Sequence, residues 1–70
     1  MYKIVYITEI QAEQLKGKQF NDSSYYSPTQ DVNGKWYVSE VERDESQYEW
    51  LKNKESTDVD ESVLFEKENK

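Results

Sequence analysis

The opening residues carry the strongest periodicity in the chain. Tyr2, Ile4 and Tyr6 alternate with Lys3, Val5 and Ile7, and this period of two predicts a β-strand over 2–7. Both of its faces are apolar enough to be buried, as in an inner strand. The period then changes. Thr8-Glu9-Ile10-Gln11 has the spacing of a capping box, in which the Thr hydroxyl takes a free amide of the first turn and Gln reaches back. A short helix is expected from Glu9 to Lys16, with Gly17 as its left-handed stop. Thr8, Ala12 and Leu15 make a narrow stripe that calls for packing on a sheet.

Asn21-Asp22-Ser23-Ser24 reads as loop. Beyond it, residues 25–30 and 35–39 are aromatic and β-branched and flank Asp31-Val32-Asn33-Gly34; Asn-Gly between such runs is a strong hairpin signal. Pro28 lacks an amide proton, so the 25–31 strand belongs at an edge, which leaves 35–39 free to pair with 2–7. The sheet order is then first, third, second. Ser39-Glu40-Val41-Glu42 is a second capping-box candidate and Ser46-Gln47-Tyr48-Glu49 a third. One helix over 40–53, or two broken near Asp44, would put Val41, Tyr48 and Leu51 on a common face and turn Trp50 elsewhere. The class predicted is α+β: a small three-stranded antiparallel-type sheet with a β-hairpin and one or two short helices, in a single domain over residues 1–54.

Charge changes the picture at the C-terminal end. The net charge of −6 lies wholly in residues 39–70, where eleven acids face five bases, while residues 1–38 balance to zero. From Glu55 to Glu61 only Val59 is apolar, so residues 55–70 are expected to form an acidic, largely mobile tail, with Val63-Leu64-Phe65 as its candidate anchor. Seventy residues with 34% hydrophobic content can build only a small core, rich in large rings.

Composition also removes chemistry. The chain has no histidine and no cysteine, which excludes Ser-His-Asp and Cys-His nucleophiles, thiolate chemistry and His-ligated metals. Ile4-Val5-Tyr6-Ile7 is far shorter than a bilayer span, and Met1-Tyr2-Lys3 does not open a signal peptide, so a cytoplasmic protein without a membrane partner is expected. The acidic balance disfavours direct nucleic-acid binding, which depends on Lys and Arg displacing phosphate counterions. A partner with a basic or apolar surface suits it better.

Three local patterns need weighing. Thr29 to Glu40 places Asp31, Asn33, Gly34 and Glu40 in the register of a calcium EF-hand loop, but Thr29 stands where an Asp is required and Pro28 spoils the incoming helix, so the hairpin reading is preferred and no metal or other cofactor is expected. Glu40, Glu42, Asp44, Glu45 and Glu49 offer many carboxylate pairs, yet so short a sequence rarely builds the concavity that raises a catalytic pKa, and no enzyme is expected. Asn21-Asp22-Ser23 matches a glycosylation acceptor without a secretory signal beside it.

Ten aromatic residues are the more informative feature. Tyr25, Tyr26, Trp36 and Tyr37 come from the hairpin strands and cannot all face one way; Trp50 stands apart from the helix stripe. These five are candidates for protein interaction, since Tyr and Trp are enriched at binding hot spots, although the same rings also serve a tiny core. Glu42, Glu45 and Glu49 would share one face of a continuous helix, an arrangement that imitates nucleic-acid phosphates.

Residues 26–42, with Tyr48-Glu49-Trp50-Leu51-Lys52 after them and Thr8-Glu9-Ile10-Gln11-Ala12, Leu15 and Gly17 before, carry an aromatic-x-Pro-x-Gln-Asp-x-x-Gly-x-Trp pattern. In this the protein resembles short uncharacterised proteins of tailed bacteriophages and their hosts, over about residues 1 to 52 and not in the acidic tail. The resemblance implies a phage or prophage origin and brings no activity. The function expected is a non-enzymatic interaction module, a phage-encoded accessory protein that binds or inhibits a host or phage protein in the host cytoplasm. The alternative is a structural, self-assembling virion-type component that forms a homo-oligomer.

Overall fold

The computed structural model describes residues 1–65. Strand β1 (Tyr2–Ile7) is followed by helix α1 (Glu9–Leu15), strands β2 (Thr29–Gln30) and β3 (Trp36–Ser39), helices α2 (Glu40–Asp44) and α3 (Glu49–Lys52), strand β4 (Thr57–Val59) and helix α4 (Glu61–Leu64). The antiparallel sheet has the order β2-β3-β1-β4. The α+β class and the β1-β3-β2 succession agree with the sequence pattern. Two counts do not: among the described residues the sheet has four strands rather than three, and there are four short helices rather than one or two.

The fourth strand lies in the segment expected to be a largely mobile tail. Its pairing sets Tyr2 opposite Val59, Lys3 opposite Asp58 and Ile4 opposite Thr57. Lys3 Nζ reaches Asp58 Oδ1 at 2.9 Å, a cross-strand ion pair that the low apolar content of 55–61 gave no reason to expect. Leu64 of α4 is buried, and Val32 N–H donates to Val63 O at 2.8 Å, so this segment crosses from β4 to the hairpin. Residues 66–70, the end of the expected tail, lie outside the described residues.

The edge strand is shorter than 25–31. Tyr25 pairs with Gln19 in an isolated bridge and Tyr26 N–H donates to Lys18 O, so the segment before Pro28 closes on the loop after α1, and only Thr29 and Gln30 join β3. The hairpin loop also differs in kind. Gly34 N–H donates to Asp31 O and Asp31 N–H to Lys35 O, and only Gly34 of the loop has positive φ, at 85°. A two-residue Asn-Gly turn would need positive φ at Asn33 too; this is a turn centred on Val32 and Asn33 closed by a left-handed glycine.

Two of the three capping boxes form. Thr8 and Gln11 cap α1 reciprocally, as do Ser39 and Glu42 at α2. Gly17 takes φ 77° just after α1. Ser46 does not cap a helix: α3 begins after Tyr48 without a side-chain cap, and Ser46 Oγ accepts the Tyr48 N–H instead. The residues after Ser39 therefore make two short helices.

Strand alternation divides the core in two. Val5, Ile7 and Val38 face Ala12 and Leu15 of α1, Leu51 of α3, Phe20 and Tyr26. On the other face Ile4 packs with Val59 and Leu64, edged by Tyr6, Tyr37 and Val63. Val41, expected beside Tyr48 and Leu51, is exposed, and Glu42 is buried in its place, because its carboxylate is drawn inward by two amides. The first cluster has eight buried members and the second three, so their truncations should differ. Leu51→Ala should cost about 2–4 kcal/mol, whereas Leu64→Ala should cost about 2 kcal/mol or less; urea unfolding followed by tryptophan fluorescence checks both.

Candidate functional site

On β3, Trp36 packs against the first core cluster and Tyr37 against the second. The hairpin aromatics are therefore split between the two faces, as alternation requires. Tyr26 is buried and Tyr25 is 59% exposed. Tyr26 sits in a series of ring contacts: Phe20 lies 5.3 Å from it, Tyr48 6.1 Å, and Tyr48 stacks on Trp50 at 5.7 Å. Its hydroxyl donates to Ser46 Oγ at 2.7 Å. Trp50, half-buried against the same cluster, and Trp36, which lies under Lys16 Nζ at 5.2 Å, close the edges of this core. Of the five aromatic candidates, Tyr26 is thus a core residue, Trp36 and Trp50 are core margins, and Tyr25 and Tyr37 belong to different surfaces.

The acidic candidates are not brought together. Glu42 is buried: Oε1 accepts the Ser39 N–H at 2.8 Å and Oε2 the Ser27 N–H at 2.6 Å, so this carboxylate ties α2 to the approach of the edge strand. Glu45, at the end of α2, accepts from Asn21 Nδ2 at 2.7 Å. Glu49 is exposed in α3. A phosphate-like row of the three needs an unbroken helix and an outward Glu42, and the structure has neither. The amide nitrogen of the Asn21 glycosylation match is occupied by Glu45 in the same contact.

The EF-like register dissolves in the same way. Asp31 is buried, with Oδ1 accepting from the Asn33 and Lys35 amides at 2.8 and 2.9 Å and Oδ2 from the Tyr6 hydroxyl at 2.8 Å. Glu40 is turned to Arg43 and Ser56. Among the described residues no group of three metal-binding side chains occurs. Burial pushes the Asp31 carboxyl up, but the Lys35 and Asn33 amides and the Tyr6 hydroxyl outweigh it and hold its pKa below the ordinary carboxylate range. Tyr6 is pushed up to about 12 by burial and by its bond to that carboxylate.

What remains open is the second sheet face. The Tyr2 and Phe65 rings meet edge-on at 5.8 Å, and Tyr6 and Tyr37 at 6.5 Å. Tyr2 is 45% exposed, Phe65 50% and Val32 44%. A concavity of about 430 Å³ opens between Gln30, Asp31, Val32, Leu64 and Phe65. A second, of about 510 Å³, lies beyond the hairpin and is lined in part by Tyr6, Lys35 and Trp36. The exposed acids Asp60 and Glu61 border this face at the start of α4, whereas Asp58, opposite Lys3, points to the other side of the sheet. Of the expected interaction residues only Tyr37 belongs here. Tyr2 was legible, since alternation puts it with Ile4 and Tyr6, and Phe65 belongs to the expected 63–65 anchor, but that this anchor meets Val32 at the hairpin was not, because nothing local shows it.

No protein-family model matches the sequence, and no curated protein and no solved structure is similar to it.

The Asp31–Tyr6 pair gives stability a two-sided pH dependence. The depressed Asp31 pKa contributes stability that is present above about pH 4 and is lost as pH falls through the folded value. The raised Tyr6 pKa contributes stability that is present below about pH 10 and is lost as pH rises towards 12. Tyr6→Phe should shrink the alkaline loss and cost about 1–2 kcal/mol near neutrality, which thermal unfolding across pH measures.

Proposed function

We propose that this protein is a non-enzymatic protein-interaction module, a phage-encoded accessory protein that binds a host or phage protein. The observation that carries this reading is the incompletely covered second sheet face, where four aromatic rings and Val32 sit beside an acidic border. Tyrosine and phenylalanine give large contact area at small ordering cost, and the acids Asp60 and Glu61 at the α4 end of the face steer encounter with a basic partner. The fitting partner has a basic or apolar surface. The phage or prophage origin rests on the resemblance of residues 1–52, read from the sequence, to short phage proteins.

Assembly with further copies of itself, the structural alternative, would draw on the same face. Bringing two molecules of charge −6 together on a face bordered by acids is opposed by their repulsion, and that places a different partner ahead of a second copy.

The test is capture from host lysate by the immobilised full-length protein, alongside the Tyr2→Ser/Phe65→Ser double variant and a Glu61→Lys variant. One protein retained by the natural sequence, released by salt and lost with the double variant is the expected result. A retained protein indifferent to both variants would remove this face from the reading, and light scattering that shows a stable dimer would favour self-assembly.

A further inference from the structure

Asn33 precedes Gly34 at the hairpin tip, and that pair has chemistry of its own. The Gly34 backbone nitrogen can attack Cγ, the carboxamide carbon of Asn33. A C–N bond forms and closes a five-membered succinimide, the Gly34 amide gives up its proton, and the bond between Cγ and Nδ2 of Asn33 breaks with loss of ammonia. Water then opens the ring at either carbonyl, leaving aspartate or isoaspartate, so that water is the one co-reactant. Glycine favours the attack because it has no side chain to hinder it, and Asn33 is exposed.

The attack needs a Gly34 nitrogen free of other bonds and a backbone free to rotate at Asn33. The hairpin denies both. Five successive amides are engaged: Asp31 N–H to Lys35 O, Val32 N–H to Val63 O, Asn33 N–H to Asp31 Oδ1, Gly34 N–H to Asp31 O at 2.9 Å and Lys35 N–H to Asp31 Oδ1. The Gly34 carbonyl accepts from Gln30 Nε2 at 2.9 Å. Asp31 supplies three of these five acceptor contacts, and its second carboxylate oxygen is fixed by Tyr6.

We infer that Asn33 is a self-modification site, held silent by the Asp31 carboxylate. The reactive Gly34 nitrogen donates to the Asp31 main-chain carbonyl, and the carboxylate, by binding the Asn33 and Lys35 amides on either side, keeps the turn in which that bond forms; when the loop opens, the succinimide forms. Isoaspartate would then lengthen the backbone by one carbon between the two amides that Asp31 binds. One carboxylate oxygen could no longer take both, and Val32 would lose its hold on Val63. The modification therefore loosens the hairpin's hold on α4, which Leu64 still seats against Ile4 and Val59.

The experiment compares the full-length protein with a capped synthetic peptide of residues 30–37 at neutral pH, following conversion of Asn33 by anion exchange and mass spectrometry. The folded protein should convert at least about tenfold more slowly than the peptide, and Asp31→Ala, which removes the carboxylate's hold on the Asn33 and Lys35 amides but not the Gly34 bond to the main-chain carbonyl, should raise the folded protein's rate at least about threefold. Folded protein and peptide converting alike would overturn the latch, and a peptide that does not convert would overturn the site. Because Asp31→Ala also weakens the fold, amide exchange is measured on the natural protein. Gly34 exchange slowed at least about tenfold relative to the peptide supports the inference, and exchange as fast as the peptide's refutes it. In protein aged to isoaspartate, the Val32 amide should exchange faster than in fresh protein, and an unchanged rate would refute the loosened hold on α4.

Discussion

Everything in this fold follows from a first strand that is apolar on both sides. Val5 and Ile7 point one way and Ile4 and Tyr6 the other, so two layers of cover have to come from a very short sequence. The first layer is made well: α1, α3 and the loop after α1 bring Ala12, Leu15, Leu51 and Phe20 onto it. Little apolar material is left for the second. Among the described residues Leu64 and Val59 are its only other buried apolar residues, and the aromatic rings at its margin stay half open. The surface available to a partner is thus what a small domain lacks the residues to close.

Buried carboxylates take the place that cross-links hold in many proteins of this size. Asp31 binds two main-chain amides and a tyrosine hydroxyl; Glu42 binds the Ser27 and Ser39 amides. Each accepts from a group distant in sequence, and each is more than nine-tenths buried. A buried carboxylate with unsatisfied lone pairs would be costly, but hydrogen bonds from several donors offset its desolvation and fix the geometry of all of them at once. Among the described residues no buried side-chain polar atom lacks a partner. Charge in this protein therefore has two uses, which net charge alone does not separate: a few acids hold loops together from inside, and the others remain on the surface.

This division explains what the sequence could and could not show. Several local signals were legible because the partner lies within a few residues: the Thr8–Gln11 and Ser39–Glu42 boxes, the Gly17 stop, the alternation of Tyr2 to Ile7, and the edge position that Pro28 imposes; the equally local Ser46–Glu49 box failed because Ser46 is engaged by the distant Tyr26 hydroxyl. Glu42 looked like a surface acid because its inward turn depends on the Ser27 amide, fifteen residues away. Asp31 looked like a metal ligand or a turn residue because its third partner, Tyr6, comes from another strand. β4 was hidden because three residues with an exposed Thr and Asp have no strand signature; pairing with β1 makes them one. Of the aromatic candidates, Tyr26 was claimed by the core and Tyr37 reaches the open face, whose other rings, Tyr2, Tyr6 and Phe65, were not among them.

The same economy ties the hairpin to the face it borders. Val32 is exposed beside the concavity, yet its amide is what holds Val63, and the loop that presents it is kept in shape by Asp31. Tyr6 belongs to the second face and also bonds that carboxylate. Hairpin geometry, the seat of α4 and the exposure of the aromatic rim are therefore coupled through one side chain. A partner that presses on the rim bears on the loop, and a change in the loop alters what the rim presents. In a larger domain, separate packing contacts would insulate these elements from one another; here the second layer is too thin to do so.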